Sequence, residues 1–468
     1  MAKNLNKQIK EFPLAVALLK MIGPSFVILA LGLGSGELIL WPYLVSNYGL
    51  GIAWGAALGI TFQYFMNMEI ERYALVKGES VFVGLTKLWH WTPWWFIIST
   101  FIGFGLPGII AASAQLLAAL FGWQDFKWLA MILLVAIGFI LSIGKTVYGL
   151  MEKITKTVII IGVPFIFILV LFTADSQDGG QLWRGLIGWG EGFNFLPAGI
   201  SLAAFLAAFA YSGAGGNLNL TQSIYIKEKG YGMGKYAQKI SGLFRGGETQ
   251  RVKLAGEDFA LTDSNLKRWR IWWRRINVEH LLVFWLGGLL AMCLLMLLAY
   301  STAFGSSGNL EGINFVLNEA GRLGRQLGQF AGVLFLLAVG IMLFQTQLGI
   351  MDSTSRIMAE NLALKKIRHD RAQEINLSRI YFYFVWAQIV FGLLLFALNI
   401  YEPKTLIVIG AVINAVAMFV HIGLVNRMNI LVLAKPFRPA YWRRAIMFLI
   451  FVFFGIFSAI TLVDKFFR

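Results

Sequence analysis

Apolar runs of about 18 or more residues recur from one end of this chain to the other, and that feature excludes most folds. In hydrocarbon, every backbone amide and carbonyl must be satisfied within the protein. A helix does this inside one segment, whereas an open sheet leaves its edges bare. Only 14% of the 468 residues are charged, against about a quarter in soluble domains. The chain is therefore expected to be an all-α, multi-pass membrane protein with a single membrane domain.

Eleven spans are expected, at about 21–47, 50–74, 93–121, 128–143, 157–172, 196–226, 278–304, 327–353, 380–400, 406–425 and 445–463. Pro164 interrupts the fifth. With the N-terminus in the cytoplasm, all but seven of the 40 Lys and Arg residues fall on the cytoplasmic side. The seven are Lys127, Arg184, Arg322, Arg325, Lys404, Lys465 and Arg468. This asymmetry predicts an N-in, C-out protein of the plasma (cell inner) membrane. It also explains the net charge of +16 as topology rather than as a nucleic-acid surface. Residues 1–20 read as a retained lead into the first span, because no small-residue cleavage site follows. The single cysteine, Cys293, excludes an intrachain disulfide framework or a cysteine metal site.

The longest cytoplasmic loop, 227–277, ends in Leu266-Lys267-Arg268-Trp269-Arg270-Ile271-Trp272-Trp273-Arg274-Arg275. Basic residues interleaved with tryptophan suit a helix among anionic lipid headgroups, either as a juxtamembrane anchor or as a lipid sensor. The stretch Gly246-Gly247-Glu248-Thr249 reads as flexible. Gly51, Gly55 and Gly59 form a small-residue stripe for close helix approach. Trp89, Trp91, Trp94 and Trp95 read as an interfacial belt. Gly144-Lys145-Thr146 resembles the end of a phosphate loop, but Phe139 stands where its first glycine belongs. No Gly-x-Ser-x-Gly or His-Glu-x-x-His motif occurs, and no enzyme activity or cofactor is expected. Of the histidines His90, His280, His369 and His421, only His421 lies well inside a span. It is either packed or a proton relay.

Two spans are broken by glycine. Gly34-Ser35-Gly36-Glu37 interrupts the first, and Tyr211-Ser212-Gly213-Ala214-Gly215-Gly216-Asn217 the sixth. Spans one to five and six to ten then form two five-helix repeats of inverted topology, at about 21–172 and 196–425, with 445–463 added. That is the leucine-transporter-type architecture, whose broken helices meet at mid-membrane. A break exposes carbonyls at one half-helix and amides at the other. Glu37 adds a charge whose burial requires a cation or a proton. It is either a cation or proton ligand or a helix cap. Asn414, Gln345, Thr346, Gln347 and Gln115 are the other polar residues at depth. Asn414 is a substrate contact or a helix–helix hydrogen bond. Asp352 and Arg356 read as a local pair.

These residues resemble the natural resistance-associated macrophage protein (Nramp) family of divalent-metal transporters. Gly23-Pro24-Ser25-Phe26 looks like that family's Gly-Pro-Gly-Phe, and Gln63-Tyr64 and Asn426-Arg427 are similar. The break at Gly34 lies in the place of its Asp-Pro-Gly-Asn, and Ala214-Gly215-Gly216-Asn217-Leu218 in that of its Met-Pro-His-Asn-Leu. The departures matter. Gly34 replaces the metal-binding aspartate, Glu37 the asparagine, Ala214 the methionine and Gly216 the histidine, and the third span has no carboxylate. Only Gly36 and Asn217 carry over directly.

The resemblance implies transport of a cation by alternating access, with or without proton coupling. Without thioether or imidazole, the ligands Glu37 and Asn217, with carbonyls near Gly34 and Gly213, suit hard divalent ions such as Mg²⁺ or Mn²⁺. Glycines in place of larger side chains are expected to widen the cavity, which favours the alternative of an organic solute such as an amino acid or amine. A non-transporting membrane sensor is a third reading.

Overall fold

The computed structural model describes residues 10–18, 21, 23–143, 147–237, 254–369 and 376–467. The 144–146 and 246–249 motifs lie outside them. The described chain is almost wholly helical. Eight of its helices are long and apolar enough to cross a membrane. The shorter apolar α7 (Lys127–Ile143), the more polar α3 (Ala53–Lys77) and the broken sixth span complete the expected eleven.

The first span is α1 (Pro24–Gly32), a π-helical turn Ser35–Leu40 and α2 (Trp41–Tyr48). Pro24 occupies the first helical turn, where a missing N–H costs nothing. The short helix α4 (Val81–Leu88) follows α3, and α8 (Val147–Thr173) and the amphipathic α9 (Ser176–Leu186) follow α7. The sixth span is α10 (Leu202–Ala210), a 3-10 turn Gly216–Leu220 and α11 (Thr221–Lys229). The remaining elements are α12 (Asp263–His280), α13 (Gly287–Ala303), α14 (Asn314–Leu327), α15 (Gln329–His369), α16 (Leu377–Ala397), α17 (Pro403–Val432) and α18 (Tyr441–Phe467).

Three spans differ from the sequence reading. The third is itself divided, into α5 (Thr92–Phe104) and α6 (Gly108–Ala119), because Pro107 has no N–H to continue the ladder. The fifth runs unbroken through Pro164, as membrane helices allow when neighbours satisfy the backbone. The seventh begins far earlier than 278. The helix Asp263–Ala303 is continuous, with a π-helical turn at Leu281–Leu286.

That continuity redefines the basic, tryptophan-rich segment. Trp269 and Trp272 are buried, and the segment carries the N-terminal stretch of chain across its face. The Phe12 N–H donates to Asn265 Oδ1 at 3.1 Å, and Trp272 Nε1 donates to the Pro13 carbonyl at 3.0 Å. Arg268 bonds Glu11 and the Phe12 carbonyl, while Arg275 bonds the carbonyls of Ala15 and Val16. Lys267, Arg270, Ile271 and Arg274 form the exposed face.

Candidate functional site at the crossing of the two broken helices

The two breaks touch through glycine. A Cβ on Gly36 would stand 1.8 Å from the Tyr211 carbonyl oxygen, and one on Gly32 would stand 2.7 Å from Gly213 Cα. Gly213, Gly215 and Gly216 all have positive φ, which L side chains rarely adopt. Trp41 Nε1 donates to Ser212 Oγ at 2.9 Å, and Gly59 of α3 lies against the same serine. The glycine-rich sequence therefore serves close helix approach.

The expected widening does not occur. Thr346 fills the space at Gly34, Tyr211 that at Gly36, and Asn414 that at Gly216. Ala214 and Ser35 are buried as well. The cavity beside Tyr211, Gly103 and Gly410 measures about 10 Å³, room for roughly one water molecule.

Several of the carbonyls expected to stand open near Gly34 and Gly213 are engaged. Thr346 Oγ1 donates to the Leu33 carbonyl at 3.0 Å and approaches that of Ala30 at 3.3 Å. The Gly34 carbonyl accepts from the Leu38 N–H at 3.0 Å. Across the second break, Gln63 donates to the Ala210 carbonyl at 3.0 Å and accepts from the Gly215 N–H at 3.1 Å. Buried carbonyls must find donors, and here side chains from α3 and α15 supply them.

Glu37 behaves differently. It is fully buried in the π-helical turn, and neither carboxylate oxygen has a hydrogen-bond partner. It caps no amide, since the turn lacks a side-chain cap. Its Oε1 lies against Gly32 of α1 and towards Gly288 of α13.

Asn217 and Asn414 form a separate pole. Asn217 Nδ2 donates to Ser99 Oγ at 2.8 Å and Thr100 Oγ1 at 3.0 Å. Asn414 Nδ2 donates to the Gly103 carbonyl and to the Tyr211 hydroxyl, both at 2.9 Å. Both Oδ1 atoms lack a partner. His421 Nε2 lies 3.1 Å from the Gly216 carbonyl, which places it as a packed residue bracing the break. No hydrogen bond joins Glu37 to Asn217, whose Oδ1 is likewise unpartnered. Among the described residues, no three His, Cys, Asp or Glu side chains are grouped to hold a metal ion.

Ser99, Thr100 and the Tyr211 hydroxyl were missed in the sequence reading. The adjacent Ser99-Thr100 pair in the middle of an apolar run was the available signal. The Asp352–Arg356 pair is present at 2.9 Å but extends to Glu228 of α11 and Tyr381 of α16.

This arrangement is the leucine-transporter-type fold. The fold matches that of an Eremococcus coleocola manganese transporter, solved as several single-residue mutants, at TM-scores of 0.70 for one mutant and 0.67 for another. Each is 12% identical, with 99% of this chain and 90% of that one covered. MhsT, solved in complex with L-phenylalanine, matches at a TM-score of 0.52 and 12% identity over 94% of this chain and 98% of its own. No protein-family signature matches the sequence. No curated protein matches it either.

Proposed function

We propose that the protein is a secondary transporter that moves a cation by alternating access, with a hard divalent ion such as Mg²⁺ or Mn²⁺ as substrate and protons as the coupling ion. One observation carries the reading. Glu37 is a buried carboxylate with no partner, set where the two broken helices touch. An ionised carboxylate in that position requires a counter-charge, and a transported cation supplies one. The unpartnered oxygens of Asn217 and Asn414 are also hard donors. No thioether or imidazole stands at Ala214 or Gly216 to favour softer metals. The fold likeness to a manganese transporter supports the same reading.

The organic-solute alternative has the likeness to MhsT in its favour. The cavity of about 10 Å³ speaks against it. The exposed face of Lys267, Arg270 and Arg274 suits anionic lipid headgroups.

Uptake of Mg²⁺, Mn²⁺ and Ca²⁺ into proteoliposomes, wild type beside Glu37→Gln, tests the assignment. Divalent uptake that depends on Glu37 is the expected result. Uptake indifferent to Glu37→Gln removes the site. Absent metal uptake, with calorimetric binding of an amino acid or amine, establishes the alternative.

A further inference from the structure

A second buried group of acids lies near the N-terminal end of α1, remote in sequence from both breaks. Ser25 of α1 has its Oγ 2.5 Å from Glu279 Oε2 and 2.8 Å from His280 Nδ1. His280 Nδ1 is also 3.2 Å from Glu71 Oε1 of α3. Gln222 of α11 donates to that same oxygen at 2.6 Å. Ser25, Glu71, Gln222, Glu279 and His280 are all buried. Tyr64 and Phe284 both stack on the imidazole.

Among the described residues, the group has no fixed cation, and neither Glu71 nor Glu279 pairs with Lys or Arg. The surrounding charges are engaged elsewhere. Arg443 of α18 bonds Glu69 and Asn277. Lys229 of α11 bonds Glu152 of α8 at 2.7 Å beside Gly23. The Tyr231 hydroxyl donates to the Met21 carbonyl, and that of Tyr64 to the Asn277 carbonyl at 3.5 Å. Two ionised carboxylates beside a neutral imidazole would leave two negative charges buried without compensation. The side chains are not grouped to hold a metal ion. Among the described residues, protons are the remaining counter-charge.

We propose that Glu71, His280, Ser25 and Glu279 form a proton relay, and that this relay is the proton-coupling site of the transporter, distinct from the Glu37 substrate site. This rests on the transport reading above. The serine has a single hydroxyl hydrogen and two neighbours, so two hydrogen-bond directions are open to it. In one, the His280 Nδ1–H donates to Ser25 Oγ while the Ser25 O–H donates to ionised Glu279. In the other, protonated Glu279 donates to Ser25 Oγ and the Ser25 O–H donates to bare Nδ1. Passing from the first to the second breaks the Nδ1–H bond and the original serine O–H bond. It forms a new serine O–H bond and a Glu279 O–H bond, so one proton moves from an imidazolium His280, which keeps its Nε2–H and becomes neutral, to Glu279 with no heavy atom displaced. His280 Nε2, Glu71 Oε2 and Glu279 Oε1 have no partner and are the positions at which protons are gained and lost.

The relay also reports on the breaks. Ser25 is carried by α1, whose chain connection to the rest of its span is Leu33 and Gly34. Gln222 is carried by α11, beyond the second break. Displacement of α1 withdraws Ser25 from between Glu279 and His280 and interrupts the relay.

Proteoliposomes containing a trapped pH indicator, with Mn²⁺ outside, test this. Wild type is expected to acidify the lumen as Mn²⁺ enters. Ser25→Ala, Glu279→Gln and His280→Gln are expected to retain Mn²⁺ uptake while lumenal acidification falls to background and the pH profile of uptake flattens. Ser25→Thr, which keeps the hydroxyl, should restore both. Acidification and a pH profile equal to wild type in Ser25→Ala and Glu279→Gln overturn the relay. Infrared difference spectra of the purified protein across pH separate this failure from failure of the transport reading. Loss of a protonated-carboxyl signal in Glu71→Gln or Glu279→Gln supports the relay even without metal uptake. No change in either variant overturns it.

Discussion

The crossing of the broken helices and the ion-paired clusters around Glu69 and Arg356 hold similar acids in opposite surroundings. Glu37 has no polar partner at all. In the ion-paired clusters, Glu69 receives Arg72, Arg443 and Asn429, and Arg356 holds both Asp352 and Glu228. One region supplies its own counter-charges and is complete as folded. The other leaves its charge uncompensated, which fits a site filled by cargo. Burial is equal in the two, so partner supply, rather than depth, separates a structural acid from one free to bind.

Removing Arg356 gives the largest expected effect on stability. Arg356→Met leaves Asp352 and Glu228 buried without their cation, at a cost of about 3–5 kcal/mol, read as a loss of unfolding stability in detergent. Glu37→Gln should do the reverse. It removes a charge that nothing compensates, so the unloaded protein should be as stable as wild type or more so. Metal uptake should meanwhile fall at least about tenfold, as expected when a charged ligand worth roughly 1.5–3 kcal/mol is lost. If Glu37→Gln destabilises the protein as much as Arg356→Met does, Glu37 is structural and the contrast collapses.

The sequence carried the helical class, the span number and both breaks, because hydrocarbon length and glycine leave strong local signals. It carried the isolation of Glu37 only as an expense, not as a geometry. Which carbonyls stay open depends on Thr346 and Gln63, which come from spans far away in sequence. For the same reason the cluster of Glu71, Glu279 and His280 was invisible. Each residue stood near an expected span end, and only the packing of α1, α3, α11 and α12 brings them together. The tryptophans of 266–275 misled differently, because their composition suits a lipid surface and a protein groove equally well.

Gly36 tests how tightly the crossing is built. A Cβ there meets the Tyr211 carbonyl, which belongs to the backbone and cannot swing aside. Gly36→Ala should therefore cost about 1–3 kcal/mol by overpacking and displace the sixth span from the first. Gly179→Ala, where a Cβ meets nothing within 4 Å, is the control and should leave stability near wild type. Equal unfolding midpoints for the two variants would mean that the breaks are not in contact.

The smallest effect concerns the carbonyls. Thr346→Val keeps the volume at Gly34 and removes only the hydroxyl that serves Leu33 and Ala30. The expected loss is about 1 kcal/mol, the usual net value of one such hydrogen bond. Its direction on binding is the sharper reading. With the hydroxyl gone, the Leu33 carbonyl lacks that donor and is open to a cation, so metal affinity measured by calorimetry should hold or rise while stability falls. A parallel fall in both would mean that Thr346 helps to hold the ion. The boundary between the self-sufficient region and the proposed cargo site would then have to be drawn through α15 instead of around Glu37.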